Sequence, residues 1–216
     1  VASANMALMV GATPVYADID PDTWLLDHHS VKKKLTKRTK AVVAVHTYGN
    51  VCNMDKLLEI TESENLFLIE DVAEACFSRF KDKPAGSLSI AGCFSFQAAK
   101  TISMGEGGFV ATPDENLYNK MKSIRSHGMD SKVKYMHHVV GHNFRLTNLV
   151  AAVGCAQLED IEDGIQKRQT LYKLYQEKLS TASGFQIQHI HDEVEPVIWA
   201  LAIKIDPKFF PERDVI

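Results

Sequence analysis

The reading of this chain turns on "CFSFQAAKTISMGEGG", residues 93–108. A β-prone run gives way to two alanines and one lysine, Lys100, and then to a turn carrying Gly105, Gly107 and Gly108. That order predicts a strand, a short approach of small residues and a tight return. The same grammar repeats on either side. "TPVYADI" (13–19), "AVVAVH" (41–46), "LFLIED" (66–71), "AGCFSF" (91–96) and "GGFVAT" (107–112) read as strands, with helical patterns near 27–35, 54–64 and 114–126. Strands alternating with helices predict an α/β fold, a mostly parallel sheet sandwiched by helices.

Beyond a polar segment at 127–142 comes a helical pattern over roughly 147–180, with Leu149, Val153, Leu158, Ile161 and Ile165 at its apolar positions. Its length predicts a connector between domains. Residues 1–150 then read as the central part of a large domain, 151–182 as a long connecting helix and 183–216 as the start of a smaller domain. The first residues read as the last turns of a helix ended by Gly11, and the last as the start of another. A chain truncated at both ends is the expectation.

Composition narrows the function classes. With 45% hydrophobic and 24% charged residues and a formal net charge of -3, the 216 residues can build an ordinary core. Basic residues such as those of "VKKKLTKRTK" (31–40) are scattered, so a nucleic-acid partner is not expected. Cys52, Cys76, Cys93 and Cys155 form no CxxC pair and read as reduced core thiols, with no metal site. No apolar run is long enough to span a bilayer, and the expectation is a cytoplasmic protein.

In open α/β sheets, ligands bind beyond the carboxyl ends of the strands. Three such ends carry polar residues: "HTYGN" with His46, "IEDVAEA" with Glu70, Asp71 and Glu74, and the lysine segment. Each has an ordinary reading. Asp71 alone reads equally as a helix cap, His46 as a hydrogen-bonded structural histidine, Lys100 as an exposed cation and "GEGG" as a turn.

Taken in order, "PVYADIDPDTW", "VHTYGN", "IEDVAEA", "CFSFQAAKTISMGEGG", "RSHGM" and "GHNFRLTNLVAAVGCAQLE" resemble the DegT/DnrJ/EryC1/StrS family of pyridoxal-phosphate-dependent nucleotide-sugar aminotransferases. The resemblance implies the aspartate-aminotransferase-like fold (fold type I). Within the family, "GMDSKVKYMHHVVGHNFRLTN", together with "AEA" after Asp71, is most similar to the perosamine synthases, which aminate C4 of a GDP-linked 4-keto-6-deoxymannose; glutamate is the family's usual donor.

The resemblance also implies roles. Lys100 takes the position of the lysine that bonds to pyridoxal phosphate and moves a proton during transfer. Asp71 matches the carboxylate facing the pyridine nitrogen, Ser95 a donor to the phosphate, and Ala73 a residue beside the cofactor. Glu74 and His46 are expected against the sugar. Asn143 matches an asparagine that reaches a partner's cofactor phosphate, which implies a homodimer with shared sites. Arg145 and Thr147 read as structural, with Thr147 capping the long helix. Relatives with histidine in place of the lysine carry out dehydration, so Lys100 argues for transamination.

Some features depart from the family pattern. Phe77 and Asp82 stand where relatives commonly have glycine, and His142 where tyrosine is common. A positive φ at Phe77 would crowd the turn after Asp71. The family's phosphate loop and ring-stacking aromatic belong before Val1, and much of its smaller domain after Ile216. A second reading is a catalytically silent homologue kept as a dimerisation or binding module, which has no chemical use for Lys100, Asp71, Ser95 and Asn143 together. Dinucleotide-binding and P-loop glycine patterns are absent.

Overall fold

The computed structural model describes residues 1–130 and 132–209. Helix α1 (Ala2–Met9) ends where Gly11 turns at φ 76° and donates its N–H to the Leu8 carbonyl at 2.9 Å. Residues 13–19, expected as a strand, join no ladder apart from a bridge between Ile19 and Leu26. Pro14 brings no N–H to a ladder, and Val15 and Tyr16 remain exposed. Asp27 accepts from the N–H groups of His29 and Ser30 and so starts α2 (His28–Lys34).

The β-branched run "AVVAV" forms β1 (Ala41–Val45), and Asn53 caps α3 (Met54–Ser63), which leads into β2 (Phe67–Asp71). β1 and β2 are parallel, with Val45 opposite Asp71. A hairpin of β3 (Arg79–Phe80) and β4 (Lys83–Pro84) precedes β5 (Ala91–Ser95), parallel to β2, and β6 (Gly108–Ala111), antiparallel to β5. The main sheet runs β1-β2-β5-β6.

Alternation decides what lies on each face. Val42, Ala44 and Leu68 point into a core with Leu57, Ile60, Val72 and Phe80, where α3 packs on β2 and α2 on α3. The opposite face carries Val43, 38% exposed, and Phe67, 63% exposed.

Asp114 caps α4 (Glu115–Arg125). The span expected to be one long helix is two, α5 (Asn148–Glu159) and α6 (Ile161–Leu179). Asp160, at φ -107° and ψ 16°, departs from helical geometry and breaks the run. Thr147 does cap α5, accepting the Val150 N–H at 3.4 Å. The remaining strands are β7 (Phe185–Ile187), β8 (Val194–Glu195) and β9 (Ile203–Ile205). β8 joins β3, which brings the segment after it back under the carboxyl end of β1. No helix among the described residues is long and apolar enough to cross a membrane.

Candidate active site

Glu70 and Asp71 are neighbours at the end of β2, so their side chains leave on opposite faces. Glu70 shares the core face with His46, and both are 0% exposed. The Glu70 carboxylate accepts from the Gly86 N–H at 2.7 Å, the Leu88 N–H and Ser89 hydroxyl at 2.9 Å each, and His46 Nε2 at 3.1 Å. Burial raises its pKa, and the hydrogen bonds from His46 and Gly86 more than reverse this, leaving it below the ordinary value.

At His46, burial lowers the pKa while Cys52 and Glu70 raise it. The Cys52 N–H, 3.2 Å from Nδ1, makes that nitrogen an acceptor, so we assign the neutral form with its proton on Nε2. His46 therefore does not reach a sugar. Strand alternation turns it into the core, where it supports Glu70.

Asp71 leaves on the other face, which it shares with Cys93 and Ser95 through the parallel register. Its Oδ2 accepts from the Ser3 hydroxyl of α1 at 2.6 Å, and its Oδ1 from the Ala73 N–H at 3.1 Å. Burial, and then the Asp71 charge, raise the Cys93 thiol. The Ser95 hydroxyl accepts from the Gln97 N–H at 3.3 Å.

Lys100 is not a free surface cation. Its side chain is 15% exposed, its Nζ lies 3.7 Å from Glu74 Oε1, and the Trp199 ring centroid is 4.1 Å away. Glu74 Oε2 in turn accepts the Tyr48 N–H at 3.1 Å. Sequence reasoning missed Trp199, whose indole donates to the carbonyl of Ala99, a hundred residues earlier and next to the lysine. Its only signal was an indole in an otherwise aliphatic run, "VIWALA".

Asn143 is exposed, with its Oδ1 accepting from Arg145 Nε at 3.2 Å and its backbone bridging Ser126. Its contacts are separate from the Lys100 cluster. Phe77 and Asp82, the residues at glycine positions, have φ of 72° and 62°. Phe77 packs against the small cluster of Phe96, Ile102 and Met104. Cys155, expected in the core, is exposed, while Cys52 and Cys76 are buried.

These residues fit pyridoxal phosphate. A ring nitrogen needs an anion, an aldehyde needs an amine, and a phosphate needs donors. Asp71, Lys100 and the Ser95 hydroxyl supply one of each from neighbouring strand ends and the loop after β5.

The fold is α/β, with a lysine and carboxylates near strand ends, and the chain belongs to the DegT/DnrJ/EryC1/StrS aminotransferase family, whose sequence pattern matches residues 1–216. Enzymes of this family work with pyridoxal phosphate. The chain is 37% identical over 203 residues to GDP-perosamine synthase of Escherichia coli O157:H7, covering 94% of this chain and 55% of that protein. It is 38% identical over 217 residues to GDP-perosamine synthase of Caulobacter vibrioides, covering 100% of this chain and 58% of that protein. Among solved structures, Helicobacter pylori PseC, an aminotransferase involved in the biosynthesis of pseudoaminic acid, superposes with a TM-score of 0.93 at 32% identity, covering 100% of this chain and 58% of that chain. The chain thus spans little more than half the length of these relatives.

Proposed function

We propose that this chain carries the cofactor-side machinery of a nucleotide-sugar aminotransferase. The reaction is transfer of the amino group of glutamate to the keto carbon of GDP-4-keto-6-deoxymannose, giving GDP-perosamine and 2-oxoglutarate. The observation that carries the reading is the lysine: the Lys100 amine sits inward, between Glu74 and Trp199, at the sheet edge that also presents Asp71. The GDP-linked substrate rests on the names of the relatives in Escherichia coli and Caulobacter.

Pyridoxal phosphate, when bound, supplies the electron sink and carries the amino group between donor and acceptor. The protein's part is local. Asp71, its carboxylate fixed by the Ser3 and Ala73 donors, would hold a proton on the ring nitrogen. The Ser95 hydroxyl would donate to the phosphate. Lys100 Nζ would hold the cofactor's aldehyde carbon and, when free, would take the proton from the amino-bearing carbon. Glu74, within reach of that amine, orients it and faces the sugar. Asn143, exposed beside α5, serves the partner's site in a homodimer, and the protein works in the cytoplasm.

The test is an absorbance spectrum of the purified protein with pyridoxal phosphate, beside Lys100→Ala, followed by mass analysis after adding glutamate and the keto sugar. The wild type is expected to show a lysine-dependent long-wavelength band that glutamate removes, and to form the amino sugar. Lys100→Ala should lack both. A wild type without that band sinks the aminotransferase reading.

A further inference from the structure

Lys100 meets two walls, and both hang from one residue. The Tyr48 N–H donates to Glu74 Oε2 at 3.1 Å, and the Tyr48 carbonyl accepts the Trp199 N–H at 3.0 Å. Tyr48 itself has φ 62°, a conformation a non-glycine residue keeps only where its surroundings impose it.

The imposition is visible. Gly49, at φ 102°, lets the 197–198 backbone pass so closely that a Cβ there would collide with the Val197 carbonyl. Buried Ser78 donates to the Gly49 carbonyl at 2.7 Å and accepts the Val197 N–H at 2.9 Å, pinning the two segments together. Arg168 of α6 donates to the Ile198 and Trp199 carbonyls at 3.2 and 3.1 Å. The indole Nε1–H donates to the Ala99 carbonyl, one residue before the lysine. Backbone and ring of Trp199 are thus tied at both ends, and the π face meets the ammonium inside the range for cation–π attraction.

We propose that Trp199 is the positioning residue of Lys100: its indole face and the Glu74 carboxylate form a two-sided seat that holds the lysine amine while it is not bonded to cofactor. The role rests on the aminotransferase reading above, because only there does the amine leave and return. A flexible four-carbon side chain set free in an open cleft would sample many rotamers. The seat keeps its nitrogen near the carbon it must reach. Loading would join the amine to the free aldehyde with loss of one water, and recapture after turnover would release the product's amine in exchange for the lysine's; in both the seat would set how often amine and carbon meet.

The test separates ring electronics from ring shape. Fluorinated tryptophans placed at position 199 keep the indole's size and its Nε1–H while draining the π face. On adding pyridoxal phosphate to cofactor-free protein, the rate at which the Lys100-dependent absorbance appears is expected to fall stepwise with fluorine count, by about tenfold across the series. Trp199→Leu should match the slowest member and Trp199→Phe should recover most of the rate. A flat series, or Leu as fast as Phe, overturns the proposal. A second readout needs no cofactor: in a Trp24→Phe background, Lys100→Met should shift the emission of Trp199. Unchanged emission overturns the seat. A shift in emission in a protein that never develops the lysine-dependent band keeps the seat and rejects the aminotransferase reading instead.

Discussion

Replacing Glu70 by glutamine keeps the side chain's volume and removes its charge, at a position that is 0% exposed and accepts four hydrogen bonds. One carboxylate oxygen must become an NH2 group. Turned toward Gly86 and His46, it would face two N–H donors. Turned toward Leu88 and Ser89, it would meet one N–H and a hydroxyl that can rotate to accept, since that hydroxyl also lies 3.1 Å from the Ala91 carbonyl. The second orientation wins, leaving the Leu88 N–H without an acceptor and three bonds without charge assistance. An orphaned donor costs about 1–3 kcal/mol and weakened charge-assisted bonds add a comparable amount, so Glu70→Gln is expected to destabilise by about 3 kcal/mol. For a chain of this size that lowers Tm by roughly 6–12 °C in scanning calorimetry.

The same variant has a pH signature. Because the folded-state pKa of Glu70 is depressed, its carboxylate contributes stability that is present above the unfolded-state value, near 4.5, and lost as pH falls through the lower folded-state value. Glu70→Gln should therefore flatten the acid side of the stability profile, with the gap between variant and wild type closing as the pH drops below that range. A variant melting within a degree of the wild type at pH 7, or a gap unchanged by acid, would refute the account of this network.

Two further outcomes follow from backbone geometry. Ser78→Ala removes the bridge between Gly49 and Val197 and orphans a buried N–H, so chemical denaturation should show a loss of about 1–3 kcal/mol. Asp82→Gly relieves an exposed residue at φ 62° and should raise stability by about 0.5 kcal/mol in the same titration; a loss would mean that Asp82 has a stabilising role beyond its turn.

Much of the fold was legible because its cues are local. The β-branched run at 41–45, the helical patterns near 27–35, 54–64 and 114–126, and the Thr147 cap each rest on cues within a few residues, and elements formed where they pointed. The positive φ at Phe77 was legible too, through the glycine it replaces in relatives. Residues 13–19 misled because β-propensity describes a strand's surface but supplies no partner. The break at Asp160 was hidden because apolar spacing continues across it from Leu158 to Ile161.

At the site, the strand ends marked His46, Glu70, Asp71, Glu74 and the lysine segment, and the motif order pointed to the family and through it to Ser95. What the chain's order could not convey is which face each side chain takes and which distant segment closes over it. His46 and Asp71 both close β-prone runs, yet the register sends one into the core with Glu70 and the other to the face shared with Cys93. Trp199 reaches Lys100 only because β8 joins β3 and the following backbone fits against Gly49. Local sequence determines local conformation through short-range sterics and hydrogen bonds. The Lys100 seat depends instead on contacts spanning a hundred residues, and those exist only once the sheets have closed.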